Sequence, residues 1–162
     1  MKTDMQHVES AASSRGQYLS FTIGGEEYGV DILRVQEIRG WEKVRQLPDT
    51  PEYVKGVLEL HGNIVPIIDL RTRFNLADVA YDAATVIIVL SVEVDSRTLA
   101  FGVVVDGVSD VLDISSSQIL DAPNLGTRIN TRYLAGMVTL NKRIVILLNV
   151  DKLLNPEGLE LL

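Results

Sequence analysis

The strongest constraint on this chain is that it repeats itself. Tyr53-Val54-Lys55-Gly56 returns as Tyr133-Leu134-Ala135-Gly136, 80 residues later (133 − 53). The same offset relates Leu60 to Leu140, Ile64-Val65 to Ile144-Val145, Ile67-Ile68 to Leu147-Leu148, Asp69 to Asn149 and Asn75 to Asn155. A second register of 73 residues (101 − 28) relates Tyr28-Gly29-Val30 to Phe101-Gly102-Val103, Val35 to Val108, Glu37 to Asp110 and Ile38 to Val111. Constant offsets that carry Tyr, Gly and Asn as well as aliphatic residues mark a duplication, because chance apolar patterning would not keep the polar positions. Neither half has much core of its own, so each must bury its apolar face against the other. Two similar small barrels about a pseudo-two-fold axis, joined by an apolar interface, are the expected architecture.

Within each half the local pattern is that of strands. Leu19, Phe21 and Ile23 alternate with Tyr18, Ser20 and Thr22 before Gly24-Gly25 turns the chain into Glu27–Asp31. Val57–Leu60 and Ile64–Leu70 flank His61-Gly62-Asn63, Thr85–Val94 and Thr98–Val105 flank Asp95-Ser96-Arg97, and Ala135–Leu140 and Arg143–Val150 flank Asn141-Lys142. These read as hairpins filled with β-branched residues. Short helical turns are expected at Pro51–Lys55, Leu70–Phe74 and Val150–Leu154. The chain is thus all-β with short helical segments. Residues 1–16, polar and rich in small side chains, read as a flexible tail. One domain spans 17–155, divided into a lobe of about 30–82 and a lobe of about 83–155 plus the first strand, and 156–162 reads as a C-terminal tail.

Composition narrows the function. Twenty-two acidic residues outnumber fifteen basic ones, for a net charge of −7, and the basic residues are scattered. A phosphate backbone needs clustered Lys and Arg, so nucleic acid is a poor partner. The chain has no cysteine, which removes disulfides, thiolate nucleophiles and Cys-based metal sites. The opening Met1-Lys2-Thr3-Asp4 leads into polar residues, and the longest apolar run, Val86–Leu90, is far short of a membrane span. A cytoplasmic protein without membrane insertion is expected.

Catalytic groups are scarce. Of two histidines, His7 falls in the polar tail and His61 at a hairpin bend. No His/Asp/Glu cluster has metal-ligand spacing, and no phosphate-binding Gly-rich loop or nucleophile elbow occurs. The carboxylate pairs, Glu26 with Glu27 and Asp106 with Asp110, read as solvated turns. No catalytic residue, metal site or cofactor is expected.

The string Glu27-Tyr28-Gly29-Val30-Asp31-Ile32-Leu33-Arg34-Val35-Gln36-Glu37-Ile38 resembles the opening signature of the CheW-type chemotaxis coupling proteins. Three further blocks match in order: Tyr53–Val57, Gly62–Arg71 and Val103–Leu112. The resemblance runs from about Gln17 to Asn155. It implies two SH3-like five-stranded β-barrels and a non-catalytic scaffold that couples the cytoplasmic tips of methyl-accepting chemoreceptors to the regulatory domain of the histidine kinase CheA, recruited to membrane-bound receptor arrays. It also implies a receptor-facing side carrying Ile32, Val35, Glu37 and His61, with Val86 and Val108 near the groove. Kinase contacts are implied around Gly56 and at Leu120–Leu125. A related adaptor for another chemosensory kinase, such as one driving surface motility, is the alternative. One position departs from the family pattern. Where Asn-Leu-Arg-Gly is usual, this chain reads Glu59-Leu60-His61-Gly62, and the family's Arg is thought to pair with the glutamate matching Glu37. Arginine is always charged, whereas an imidazole titrates near neutrality, so weaker or more pH-sensitive receptor binding is expected here.

Overall fold

Four hairpins organise the chain, and each closes on two residues with left-handed backbone: Gly24-Gly25, His61-Gly62, Asp95-Ser96 and Asn141-Lys142. Such turns match the right-handed twist of the strands they join. In the computed structural model, which describes residues 14–76, 79–121 and 131–161, they connect β1 (Arg15–Ile23) to β2 (Glu26–Asp31), β4 (Val54–Leu60) to β5 (Asn63–Asp69), β6 (Val86–Val94) to β7 (Arg97–Val105), and β9 (Leu134–Leu140) to β10 (Arg143–Leu148). Two further strands, β3 (Val35–Gly40) and β8 (Gly107–Ser115), follow β2 and β7. Short helices α1 (Leu70–Arg73) and α2 (Val150–Leu153) follow β5 and β10. Asp69 and Asn149, equivalent in the repeat, cap them: the Asp69 carboxylate accepts from Arg71 N–H at 2.9 Å and the Asn149 side chain from Lys152 N–H at 3.1 Å.

The two sheets run β8-β1-β2-β10-β9 and β3-β6-β7-β5-β4. Under the sequence repeat these orders are the same, strand for strand. Each sheet takes its first hairpin from one repeat and its last three strands from the other. The expected division at residues 82 and 83 therefore does not follow the sheets. β6 and β7 belong with β3, β4 and β5, while β1 and β2 belong with β8, β9 and β10. The parallel pairs enforce this exchange, with Ile146 opposite Tyr28 in β10–β2 and Ile68 opposite Val103 in β5–β7. The 3-10 turn Ile32–Arg34, capped by the Asp31 side chain on Leu33 N–H at 3.0 Å, carries the chain from one sheet to the other.

One apolar core lies between the sheets. Leu19, Phe21, Tyr28 and Val30 from the first sheet meet Ile88, Leu90, Phe101 and Val103 from the second. The opposite sheet faces close on smaller cores, one around Ile67, Ile87, Val89 and Val104, the other around Ile114, Val138, Val145 and Leu147. β6 and β10 are thus buried on both faces, which is why they read as unbroken apolar runs.

The expected ends of the domain shift. Arg15 and Gly16 already pair with Ser115 and Ile114 in β1–β8, and 1–13 lie outside the described residues. The C-terminal segment is anchored rather than a tail: Leu159 is fully buried and its carbonyl accepts from the Tyr53 hydroxyl at 3.2 Å. At Pro51–Lys55 there is only a turn, with Val54 N–H on the Pro51 carbonyl, because β4 starts at Val54.

Each barrel closes through a single backbone bridge. Arg45 pairs with Val57, and Leu120 pairs with Met137, 80 residues after Val57 (137 − 57). The glycine before each bridge, Gly56 at φ 146° and Gly136 at φ 153°, lets the closing segment come close. A Cβ on Gly56 would stand 2.1 Å from the Arg45 carbonyl oxygen, and one on Gly136 would stand 2.8 Å from that of Leu120. Gly56→Ala is expected to cost about 3 kcal/mol through backbone strain and overpacking. That lowers the melting midpoint by roughly 6–12 °C. An unchanged midpoint in thermal denaturation would show that Gly56 acts only as a surface.

The crossovers are braced by charge. Arg34 donates to both carboxylate oxygens of Asp151 on α2, at 2.6 and 2.7 Å, and to the Ser91 carbonyl of β6 at 3.1 Å. Glu93 N–H adds a 2.8 Å bond to Asp151. Hydrogen bonding from Arg34 outweighs burial and holds the Asp151 carboxyl below its ordinary value. Its contribution is therefore complete above the unfolded value, near pH 4, and is lost as pH falls through the folded one. Arg34→Ala is expected to cost about 1–2 kcal/mol at pH 7, kept small by partial solvent exposure. In chemical denaturation the gap to the parent chain narrows below about pH 4; a gap independent of pH would contradict the ion-pair origin.

Candidate functional site

Glu37 sits on β3, an edge strand whose residues are alternately half-buried and exposed. Its carboxylate is held from two sides. Arg39, two residues along and so on the same strand face, donates Nη1–H to Oε2 at 2.7 Å. His61 Nε2 stands 3.0 Å from Oε1. Arg39 also reaches Glu42 with Nη2 at 2.8 Å and Nε at 3.3 Å, so four charged or titratable groups form one chain across the barrel rim. Hydrogen bonding to Arg39 first, and to His61 second, holds the Glu37 carboxyl below the usual carboxylate range. The His61 side chain is 78% exposed. The expected Glu37–His61 contact is present, and Arg39 is a partner that the sequence reading missed. Its signal was the i, i+2 spacing on a strand.

The structure places Ile32, Val35, Val86 and Val108 together in kind. All four are half-buried and pack against the shared core between the sheets. Val35 and Val108 are repeat equivalents. Beside Ile32, Leu33 is 84% exposed, and Ile38 and its equivalent Val111 are also solvent-facing. These exposed aliphatic residues are unmarked in the sequence reading.

Of the residues expected at a second surface, Gly56 is backbone lined up against Arg45. Leu120 exchanges two backbone hydrogen bonds of 2.8 Å with Met137 while its side chain stays 55% exposed. Leu125 lies outside the described residues. Next to Gly56, Trp41 stacks on Tyr81 at 4.2 Å between ring centroids. With Lys43, Val44, Gln46 and Lys55 they line an open cavity of about 550 Å³. The only tryptophan of the chain was the available signal for it.

The most perturbed titratable cluster is held by internal pairing. Asp69, fully buried, accepts from Arg71 Nε at 3.0 Å, Arg71 Nη2 at 3.0 Å and the Tyr81 hydroxyl at 2.7 Å. Arg71, 2% exposed, also donates to the Ala80 carbonyl at 2.6 Å and to Asp106 at 3.1 Å. Burial opposes the Arg71 charge, but Asp69 overrides it and raises the pKa. Burial, then hydrogen bonding to Asp69, push the Tyr81 hydroxyl up as well. The carboxylate pairs of the sequence are separately engaged: Glu26 by the Tyr28 hydroxyl, Glu27 by Arg143, Asp106 by Arg71 and Gly24 N–H, Asp110 by the Ser20 hydroxyl. Among the described residues no group of three or more His, Asp or Glu side chains could hold a metal ion, and no helix is long and apolar enough to cross a membrane. The surface thus offers half-buried aliphatic residues beside the shared core and, on β3, a carboxylate clamped by Arg39 and His61.

Known proteins match this chain in sequence and in fold. A family model described as CheW-like domain matches residues 17–157. The chemotaxis protein CheW of Klebsiella aerogenes is 48% identical over 145 residues, covering 90% of this chain and 85% of that protein. The probable chemotaxis protein CheW of Rhizobium etli is 33% identical over 146 residues, covering 90% and 92%. Protein FrzA of Myxococcus xanthus is 29% identical over 149 residues, covering 91% and 90%. The crystal structure of the scaffolding protein TtCheW from Thermoanaerobacter tengcongensis superposes with a TM-score of 0.77 at 28% identity, covering 88% of this chain and 90% of that one. The duplicated twin barrels are therefore those of a chain that belongs to the CheW-like domain family.

Proposed function

We propose that this chain is a non-catalytic coupling scaffold of bacterial chemotaxis, joining methyl-accepting chemoreceptors to the histidine kinase CheA in membrane-bound arrays. The observation that carries the reading is the rim itself. Ile32, Val35, Val86 and Val108 supply half-buried aliphatic surface, Leu33 supplies an exposed side chain, and Glu37 with His61 supplies a fixed polar end. An amphipathic receptor helix fits such a groove with its apolar face inward. Glu37, already oriented by Arg39 and His61, loses little conformational freedom on meeting a donor from the helix. Kinase regulatory domains dock at two separate places, one against the Gly56 loop with its Trp41–Tyr81 shelf and a second, used when rings close, at Leu120 and Leu125. Nearly half identity to a chemotaxis CheW, against 29% to FrzA, favours the receptor-array role over an adaptor in a different motility pathway.

Co-sedimentation with receptor-containing membranes, with and without CheA, tests the coupling. The protein pellets with receptors and raises kinase phosphorylation in their presence. Glu37→Ala weakens receptor binding tenfold or more while leaving CheA binding unchanged. His61→Ala removes one of the two side chains that hold Glu37 and is expected to weaken receptor binding severalfold. Unchanged receptor affinity in that variant would reject a role for His61. Binding to CheA with no binding to receptors would leave only half of the reading standing.

A further inference from the structure

A buried ion pair stands at the head of one repeat's helix where the other repeat has a neutral cap. The two helices start in the same way. Asp69 N–H donates to the Tyr53 carbonyl and Asn149 N–H to the Tyr133 carbonyl, both at 2.8 Å, and each residue caps its helix with its side chain. Asn149 does this as a neutral amide. Asp69 does it as a fully buried carboxylate beside Arg71, itself 2% exposed. Capping therefore does not account for the charge. A buried ion pair adds little net stability, because desolvation offsets the attraction, but its charge-assisted hydrogen bonds fix the geometry of what they hold.

What Asp69 adds beyond the cap is a hold on Tyr81. Its Oδ1 accepts from Arg71 N–H at 2.9 Å and from Arg71 Nε at 3.0 Å, while its Oδ2 accepts from Arg71 Nη2 at 3.0 Å and from the Tyr81 hydroxyl at 2.7 Å. The Arg71 guanidinium also lies over the Tyr81 ring, 4.9 Å from its centroid. The backbone after Tyr81 is fixed as well, with Asp82 N–H on the Thr85 hydroxyl and Ala84 N–H on the Asp82 carboxylate, both at 2.9 Å. Tyr81 is 38% exposed and stacks on Trp41 with 29° between the ring planes. Trp41 N–H meets the Thr85 carbonyl at 3.0 Å, so backbone and indole are both braced at the wall of the cavity beside Gly56. At the same offsets the second repeat has Ile114 (114 − 41 = 73), fully buried, and Leu161 (161 − 81 = 80), packed against the shared core. One lobe turns these two positions inward; the other displays them as an aromatic shelf anchored on a buried ion pair.

We propose that Tyr81 is a positioning residue for kinase docking: tied to Asp69 by its hydroxyl and covered by Arg71, it holds the Trp41 indole in place before the partner arrives. This rests on the reading of the Gly56 loop as a kinase contact. A loose indole has to be immobilised when a complex forms, whereas one already braced does not, so affinity is gained through preorganisation. Tryptophan and tyrosine in fixed, central positions are the side chains on which interfaces concentrate their binding energy.

Trp41 is the only tryptophan of the chain, so its fluorescence reports on the indole directly. Acrylamide quenching of the full chain, measured where every variant is folded, is set beside binding to CheA and to receptor-containing membranes for Tyr81→Phe, Tyr81→Leu and Trp41→Ala. Tyr81→Phe keeps the ring and removes its tie to Asp69, and Tyr81→Leu installs the residue found at the same offset in the second repeat. Trp41→Ala is expected to weaken CheA binding about tenfold, and Tyr81→Leu to match it, with receptor binding unchanged. Quenching is expected to rise roughly twofold in Tyr81→Leu, and Tyr81→Phe to lose roughly threefold in CheA affinity with a smaller rise in quenching. A purely structural Tyr81 would lower the melting midpoint and leave both readouts of the folded protein at parent values. Parent-like CheA affinity in Trp41→Ala would remove the kinase contact from this loop, and the proposal with it. Weakened binding in Trp41→Ala beside parent-like quenching or parent-like affinity in Tyr81→Leu would overturn the positioning role alone and leave the kinase contact standing.

Discussion

The exchange of hairpins between the two repeats is what the rest of the molecule depends on, and two ion pairs hold it. Where the chain leaves β2 for the other sheet, Arg34 grips Asp151 on α2. Where it leaves β7 in the opposite direction, Asp106 meets Arg71 on α1. Arg71 and Asp151 are repeat equivalents, 80 residues apart (151 − 71). An ion pair thus stands at each crossover, with its polarity reversed from one to the other. A reversed pair cannot cross-react: Arg34 facing Arg71, or Asp106 facing Asp151, would place like charges in partly buried positions. Charge reversal therefore gives two similar barrels a unique way to interlock, a role for buried pairs in specificity more than in net stability.

This exchange also decides where binding can occur. Central strands such as β6 are buried on both faces, one against the shared core and one inside a barrel. They have no surface left to present. Recognition falls to the edge strands and turns, and β3 is both an edge strand and the element that follows a crossover. Its outward residues are set by where Ile32–Arg34 delivers the chain. The brace at Arg34 and the proposed receptor-facing residues Val35 and Glu37 are therefore neighbours in sequence, so a change that loosens the crossover also displaces them.

Much of this was legible in the residues. The repeat announced two equivalent lobes, and the hairpins were marked by their glycines and by Asn141 and Asp95. The edge strands β3 and β8 were not marked, because Gln36, Glu37 and Arg39, or Asp110 and Asp113, interrupt the apolar pattern as edge strands require. The division between lobes was misplaced for a different reason. Periodicity reports which face of a strand is buried but not which sheet it joins, and the parallel pairings β2–β10 and β5–β7 are contacts distant in sequence. At the rim, Glu37 and His61 could be paired from the family pattern. Arg39 could not, since that pattern directs attention to the hairpin and away from the strand.

Arg39 changes what the histidine means. His61 is the first residue of a two-residue turn at φ 52°, a backbone region in which histidine is enriched among residues with side chains. A histidine there suits the turn while still reaching Glu37 at 3.0 Å. A turn arginine would bring a permanent charge and a longer side chain to the same carboxylate, whose other oxygen Arg39 already holds. In this chain the permanent cation comes from the strand, and the turn residue adds a second hold on the same carboxylate. The orientation of Glu37 therefore rests on two partners and not on the turn residue alone.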